Sequence, residues 1–135
     1  MFNLPIMEEK DARNLDPQVQ AFVGDGVYSL YTRHKIFMDE KSKGKNLHSQ
    51  VTSFVKAKGQ SNFIAKIQPI LTDTEMAVFK RARNHKTLSQ AKNQNIVDYK
   101  RATGLEALLG YLYLSGQTTR LNELLEFSVG EESEN

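Results

Sequence analysis

Two carboxylates interrupt helical faces that are otherwise apolar. Asp25 lies in the run AFVGDGVY, between Gly24 and Gly26 and close to Val23 and Val27, and Glu106 lies in TGLEALLGYLYL, with Gly104, Ala107 and Gly110 nearby. Glycine in a helix interior costs about 1 kcal/mol relative to alanine, so glycines on both sides of an acid imply that something approaches the backbone closely there. An acid withdrawn from water without a partner is costly, so each must find a cation, hydrogen-bond donors, a metal ion or a proton. Mg²⁺, or Mn²⁺ in its place, suits such a pair, because Mg²⁺ is held through one or two carboxylates and keeps several waters. The plainer alternative pairs each acid with an arginine, for which Arg33 and Arg101 are available. The spacing of 81 residues does not by itself establish contact, and the residue types leave both readings open.

Other chemistries have little support. His34, His48 and His85 are scattered among basic residues without the HExxH spacing, which suits RNA contacts or surface histidines better than metal ligands. Gly24 and Gly26 lack the third glycine and the strand-turn-helix setting of a dinucleotide loop; there is no GxxxxGK[ST] and no serine elbow. The chain has no cysteine, which excludes disulfides, thiolate zinc sites and cysteine nucleophiles.

Charge is sorted along the chain although the net is only +2. Residues 33–101 carry fifteen lysines and arginines against five acids, a net of +10, whereas residues 1–32 and 102–135 carry −3 and −5. A basic surface of that size attracts a polyanion through counterion release. Its sharpest part is Lys80, Arg81, Arg83 and Asn84, followed by a polar stretch holding Lys86, Ser89, Gln90, Lys92 and Asn93. Three cations at a helix end can simply complement the helix dipole. With the polar stretch after them, they read as a grip on duplex RNA, which is recognised mostly through phosphates and 2′-hydroxyls across a shallow groove. Lys56 and Lys58 form a second basic point, equally readable as solvated lysines.

The elements that must position these groups read as helices throughout, an all-α chain. Asp16 caps a helix with Pro17 at its first position, carried by Val19, Phe22, Val23, Val27, Leu30 and Tyr31 to about Met38. Asp39–Lys45 is a polar loop. Leu47, Val51, Phe54 and Val55 mark a second helix, and Gly59 is expected to break it from a third carrying Phe63, Ile64 and Ile67. Thr72 and Glu75 have capping-box spacing for a fourth helix ending at Asn84. His85–Asn95 has no apolar period and reads as the longest loop. A fifth helix carries Leu105, Leu108, Leu109, Leu112 and Tyr113, and after Gly116 a sixth carries Leu121, Leu124, Leu125 and Phe127. At 135 residues the chain is expected to form one domain, 1–135, with its core over about 15–127 and a frayed acidic tail over 129–135. No apolar run approaches the ~20 residues of a bilayer span, and the N-terminal residues lack the order of a secretion signal, so a cytoplasmic protein without a membrane partner is expected.

Together these runs resemble the ribonuclease III catalytic domain, and more closely its compact bacterial form, Mini-ribonuclease III. LDPQVQAFVGDGVYSLYTRH is similar to the first signature of that family, ending in its Gly-Asp, and TGLEALLGYLYL to the second; RARN with the polar stretch after it, Leu47-His48, and Lys56-Ala-Lys58 ahead of Gln60 also match. The likeness spans roughly residues 15–127. It implies an all-helical homodimer whose protomers form a valley for double-stranded RNA, with an acidic metal site at each end. On this resemblance Asp25 and Glu106 are the catalytic, metal-binding acids and Phe22 packs against the partner protomer. The larger family has further acids where this chain has Gln18, Ala21 and Thr103, a departure shared by the compact subfamily. The implied activity is metal-dependent hydrolysis of double-stranded RNA giving 5′-phosphates, with precursor 23S ribosomal RNA as substrate and a ribosomal protein as a conceivable auxiliary. Two alternatives stand beside it: a non-catalytic double-stranded RNA-binding or ribosome-associated protein on the same fold, and a helical adaptor for an acidic protein.

Overall fold

The computed structural model describes residues 2–39, 47, 57–85 and 96–129. These form α1 (Glu9–Arg13), α2 (Pro17–Met38), α3 (Ala57–Ile67), a 3₁₀ turn (Gln68–Ile70), α4 (Asp73–Arg83), α5 (Ile96–Leu114) and α6 (Thr118–Val129), with no strand among the described residues.

Local chemistry accounts for most of the boundaries. The Asp16 side chain accepts from the Gln18 N–H at 2.7 Å and Pro17 opens α2, as the cap signal predicts. Thr72 and Glu75 complete a reciprocal capping box at the start of α4. Helix α5 ends in a Schellman turn: Gly116 has φ +73°, its N–H bonds the Tyr113 carbonyl, and the Gln117 N–H bonds that of Leu112. One expectation needs correction, and one short helix has no signal in the sequence. The periodicity predicts a break at Gly59, but Gly59 lies inside α3, where a helical glycine is affordable because the stripe Phe63, Ile64 and Ile67 packs into the core. The short α1 has no long apolar period to announce it; it is held from outside by the Tyr111 hydroxyl donating to Glu9 at 2.7 Å, and within its own turn by a Glu9–Arg13 pair. The expected helix around Val51 lies outside the described residues apart from the helical Leu47, as do residues 86–95 of the expected loop.

Helix α5 is the axis of the molecule. Gly104, Leu105 and the run Ala107–Leu112 are all buried, which is the mark of a helix enclosed on every side rather than one with a single apolar stripe. Helices α2, α3, α4 and α6 surround it, and the core joins Tyr28, Phe63, Ile67, Phe79, Leu105, Leu108, Leu112 and Leu124. Tyr28 stacks on Phe63 with ring centroids 5.6 Å apart. Arg120 of α6 clamps buried Glu75 through two 2.8 Å hydrogen bonds and donates to the Ile70 carbonyl at 2.7 Å. Burial pushes the Glu75 carboxyl up, but Arg120 and Thr72 outweigh that and hold it below the usual carboxylate range.

The crossing of α2 and α5 positions the two acids. A Cβ built on Gly24 would lie 1.6 Å from the Glu106 carbonyl oxygen, and one on Gly110 would lie 2.0 Å from the Gln20 carbonyl oxygen. The two backbones are therefore in direct contact, and Asp25 and Glu106 flank the contact. Gly24→Ala and Gly110→Ala should each destabilise the protein by about 3 kcal/mol or more, because the added methyl meets rigid backbone rather than a side chain that can turn away. Urea unfolding followed by circular dichroism measures this; a loss under about 1 kcal/mol in both variants would mean that the helices do not touch.

Candidate active site

Asp25, on the solvent-facing side of α2, and Glu106, half-buried on α5, meet beside the glycine crossing. The two carboxyl groups face one another closely enough for Asp25 to act on the titration of Glu106. A third group enters from α3: Gln60, only 2% exposed, donates from Nε2 to Oε2 of Glu106 at 3.1 Å. Burial is the largest influence on Glu106 and raises its pKa; the Gln60 amide opposes the rise, and the negative charge of Asp25 with the shared hydrogen bond adds to it. The result is a carboxyl pushed up to about 8. Among the described residues neither acid is in an ion pair, so the arginine partners that the sequence leaves open, Arg33 and Arg101, are not the ones used.

The donor set is two carboxylates, since among the described residues no three histidine, cysteine, aspartate or glutamate side chains come together. Two facing carboxylates, one of them exposed to solvent and the other half-buried, match a small hard dication that retains water ligands.

Phe22, one turn before Asp25, is 80% exposed, so it is not a core residue of this chain. The basic residues of α4 fall into three situations. Lys80 is exposed to solvent. Arg81 is turned toward the α1–α2 corner, where its guanidinium donates to the Leu15 carbonyl and to Oε1 of Gln20 at 3.4 Å. Buried Gln20 in turn donates to the carbonyls of Ala12 and Arg13. Arg83 lies over the Phe79 ring at 5.6 Å and donates to Asn84 at 3.2 Å. Lys58 lies in the first turn of α3; Lys56, Lys86 and Lys92 lie outside the described residues.

Gln60 is the group that residue-type reasoning passes over. Its signal was present: positions 60, 63, 64 and 67 make one helical stripe, and glutamine is the polar member of an otherwise apolar set. A buried amide in such a stripe needs a partner.

The Ribonuclease III domain model matches residues 18–117. Mini-ribonuclease 3 of Thermoanaerobacter sp. (strain X514) is 40% identical over 127 residues, covering 94% of this chain and 89% of its own. Mini-ribonuclease 3 of Clostridium tetani is 42% identical over 122 residues, covering 90% and 81%. A crystal structure of a protein from Fusobacterium nucleatum superposes with a TM-score of 0.78 at 29% identity, over 90% of this chain and 98% of that one. With two signature acids brought together at the crossing of its two signature helices, and with relatives of this similarity along nearly its whole length, the chain belongs to the ribonuclease III family.

Proposed function

We propose that this endoribonuclease of the ribonuclease III family hydrolyses double-stranded RNA as a homodimer, with Asp25 and Glu106 holding Mg²⁺ or Mn²⁺ as its catalytic acids, and that it matures precursor 23S ribosomal RNA. The observation that carries the reading is the close approach of Asp25 to half-buried Glu106 beside the glycine crossing, two carboxylates whose charge a dication would neutralise. The ribosomal substrate rests on the resemblance alone.

Held by Asp25 and Glu106, the ion would supply Lewis acidity for activating a water and for stabilising the leaving 3′-oxygen. The work of the chain is to present the two acids. Glu106 would release its proton to hold the ion, and Asp25 stands on the outer, solvent-facing side. Lys80, Arg83 and Asn84 on α4, with Lys58, Lys56, Lys86 and Lys92, are the groups offered to the RNA backbone, while Arg81 shares its guanidinium with the fold. The homodimer has support in α2. Val19, Phe22, Leu30 and Phe37 line one exposed face, and Gly26, on the same face, has no neighbour within 4 Å of its would-be Cβ. An apolar helix stripe with a glycine at its middle suits close approach by the α2 of a second copy. Two sites related by a two-fold axis then address the two strands of a duplex.

Incubation of the purified protein with long duplex RNA, with Mg²⁺ or with a chelator, tests the activity. Asp25→Asn and Glu106→Gln should each lower cleavage by more than about 100-fold, beyond what loss of a residue outside the ligand set costs, while leaving the circular dichroism spectrum unchanged. Cutting at the wild-type rate by either variant would remove these acids from the site.

Glu106 also sets a pH signature. The metal-free folded protein keeps the Glu106 proton to about pH 8, whereas the unfolded chain releases it near the ordinary value of 4.5. Between those values the folded state holds more protons, so the stability of the metal-free protein should fall as pH rises through this window and level off above it. Over the same range Mn²⁺ affinity should rise about tenfold per pH unit, with one proton released per ion. Calorimetric titration reads both affinity and proton release, and a pH-independent affinity would take Glu106 out of the ligand set.

Phe22→Ala and Gly26→Leu should shift the protein toward monomer in analytical ultracentrifugation while each monomer stays folded. Unchanged dimers in both variants, or a wild-type protein that is monomeric at high concentration, would place the interface elsewhere or abolish it.

A further inference from the structure

The buried amide of Gln60 is the feature of the site that the activity alone does not demand. A leucine would continue the α3 stripe of Phe63, Ile64 and Ile67 at no polar cost, whereas a desolvated amide is unfavourable by about 1–3 kcal/mol unless its hydrogen bonds are made. Comparison with Gln20, the other fully buried glutamine of the core, is instructive. The Gln20 amide donates to the carbonyls of Ala12 and Arg13 and so ties one backbone segment to another. The Gln60 amide instead donates to the Oε2 of Glu106, 46 residues along the chain and on a different helix. An arginine or lysine at this point would make the same hydrogen bond but would bring a positive charge into a place meant for a cation. A third carboxylate would offer no donor once ionised and would repel the other two. Glutamine donates without charge, which leaves the full negative charge of both acids for an incoming ion.

Resting on the function proposed above, we propose that Gln60 is a positioning residue for the reaction: its Nε2 engages Oε2 of Glu106 and so holds the carboxylate toward Asp25, where the two acids would hold a divalent cation. The anchor is rigid. Gln60 sits on α3, whose packing against α5 is fixed by Phe63, Ile64 and Ile67 against Leu105, Leu108 and Leu109, so the amide and the carboxylate are carried by two helices locked in one core. Without the amide, Glu106 is free to turn about its side-chain torsions, and each productive binding event must first reorder it.

The test is Mn²⁺ binding to the RNA-free protein at one fixed pH, read by electron paramagnetic resonance, in wild type, Gln60→Met and Asp25→Asn. Methionine keeps the length and approximate volume of the side chain and removes the donor. Gln60→Met should bind Mn²⁺ about 10- to 100-fold more weakly, the loss typical of a residue that orients a metal ligand. At subsaturating Mn²⁺ its kcat on duplex RNA should fall by a similar factor, with KM for the RNA unchanged. Introduced together with Glu106→Gln, the same substitution should cause no further loss, because the group through which it acts is already gone. Gln60→Ala serves as a second variant should Gln60→Met fail to fold, with the same loss of Mn²⁺ affinity expected. Wild-type Mn²⁺ binding in the folded Gln60 variants, or losses that simply add to those of Glu106→Gln, would overturn the positioning role. The Asp25→Asn arm separates that failure from failure of the function itself. If Asp25→Asn loses the ion while Gln60→Met keeps it, only the role of Gln60 falls, whereas retention of the ion by both would remove the metal site.

Discussion

Backbone touches backbone where α2 crosses α5, and the rest of the site depends on that contact. Gly24 and Gly110 are interlocked, each occupying space that a side chain on the other helix would need, and the separation of the axes is set by main-chain atoms rather than by compressible side chains. At such a crossing, residues on either side of the contact are forced together. Asp25 follows Gly24 directly and Glu106 stands one turn before Gly110 on α5, so the acids are neighbours as a matter of helix geometry. Gly104 repeats the device on another side of the same helix, against Phe79 of α4. Helix α5 thus carries Glu106 through a core in which it has little freedom to shift.

The acids also show how packing converts into chemistry. A carboxyl at the edge of an enclosed helix is desolvated, and desolvation alone favours the neutral form. The neighbouring acid deepens the effect, and the amide from α3 moderates it. Three helices distant in sequence each contribute one polar group to a spot that the hydrophobic core has otherwise dried. Elsewhere in the molecule buried polarity is neutralised differently. Glu75 meets the guanidinium of Arg120 and remains below the usual carboxylate range, which is the outcome expected of a structural acid. The contrast between Glu75 and Glu106 lies in what each faces, an arginine in one case and a second carboxylate in the other.

Most of the helices, and the two acids, were legible in the residues, for reasons that differ from one to the next. Helix α2 announces itself with Asp16, Pro17 and a long apolar period, and α4 with its capping box, because these are local signals that tertiary structure has no cause to override. Asp25 and Glu106 were legible because an acid flanked by glycines in an apolar helix contradicts its surroundings. That they meet was not, since the contact is made by glycines, which carry no side chain to suggest a partner. Gly59 misled because its cost in a helix is small beside the packing of the stripe that follows it. Arg81 belongs by composition to the basic cluster, yet its guanidinium reaches Leu15 and Gln20, a contact across 66 residues that no local pattern encodes. Gln60 escaped notice for the opposite reason: one glutamine in a short helix is commonplace, and only its depth and its partner set it apart.

The proton that burial favours on Glu106 bears on how the molecule comes into being. A site assembled from two bare anions would push its own helices apart until an ion arrived, and maturation of a newly synthesised chain would then wait on the metal supply of the cell. Here burial favours the neutral form of Glu106, so the chain can complete its core and close the crossing at Gly24 and Gly110 without two facing anions. On the function proposed above, the fold would come first and the ion second.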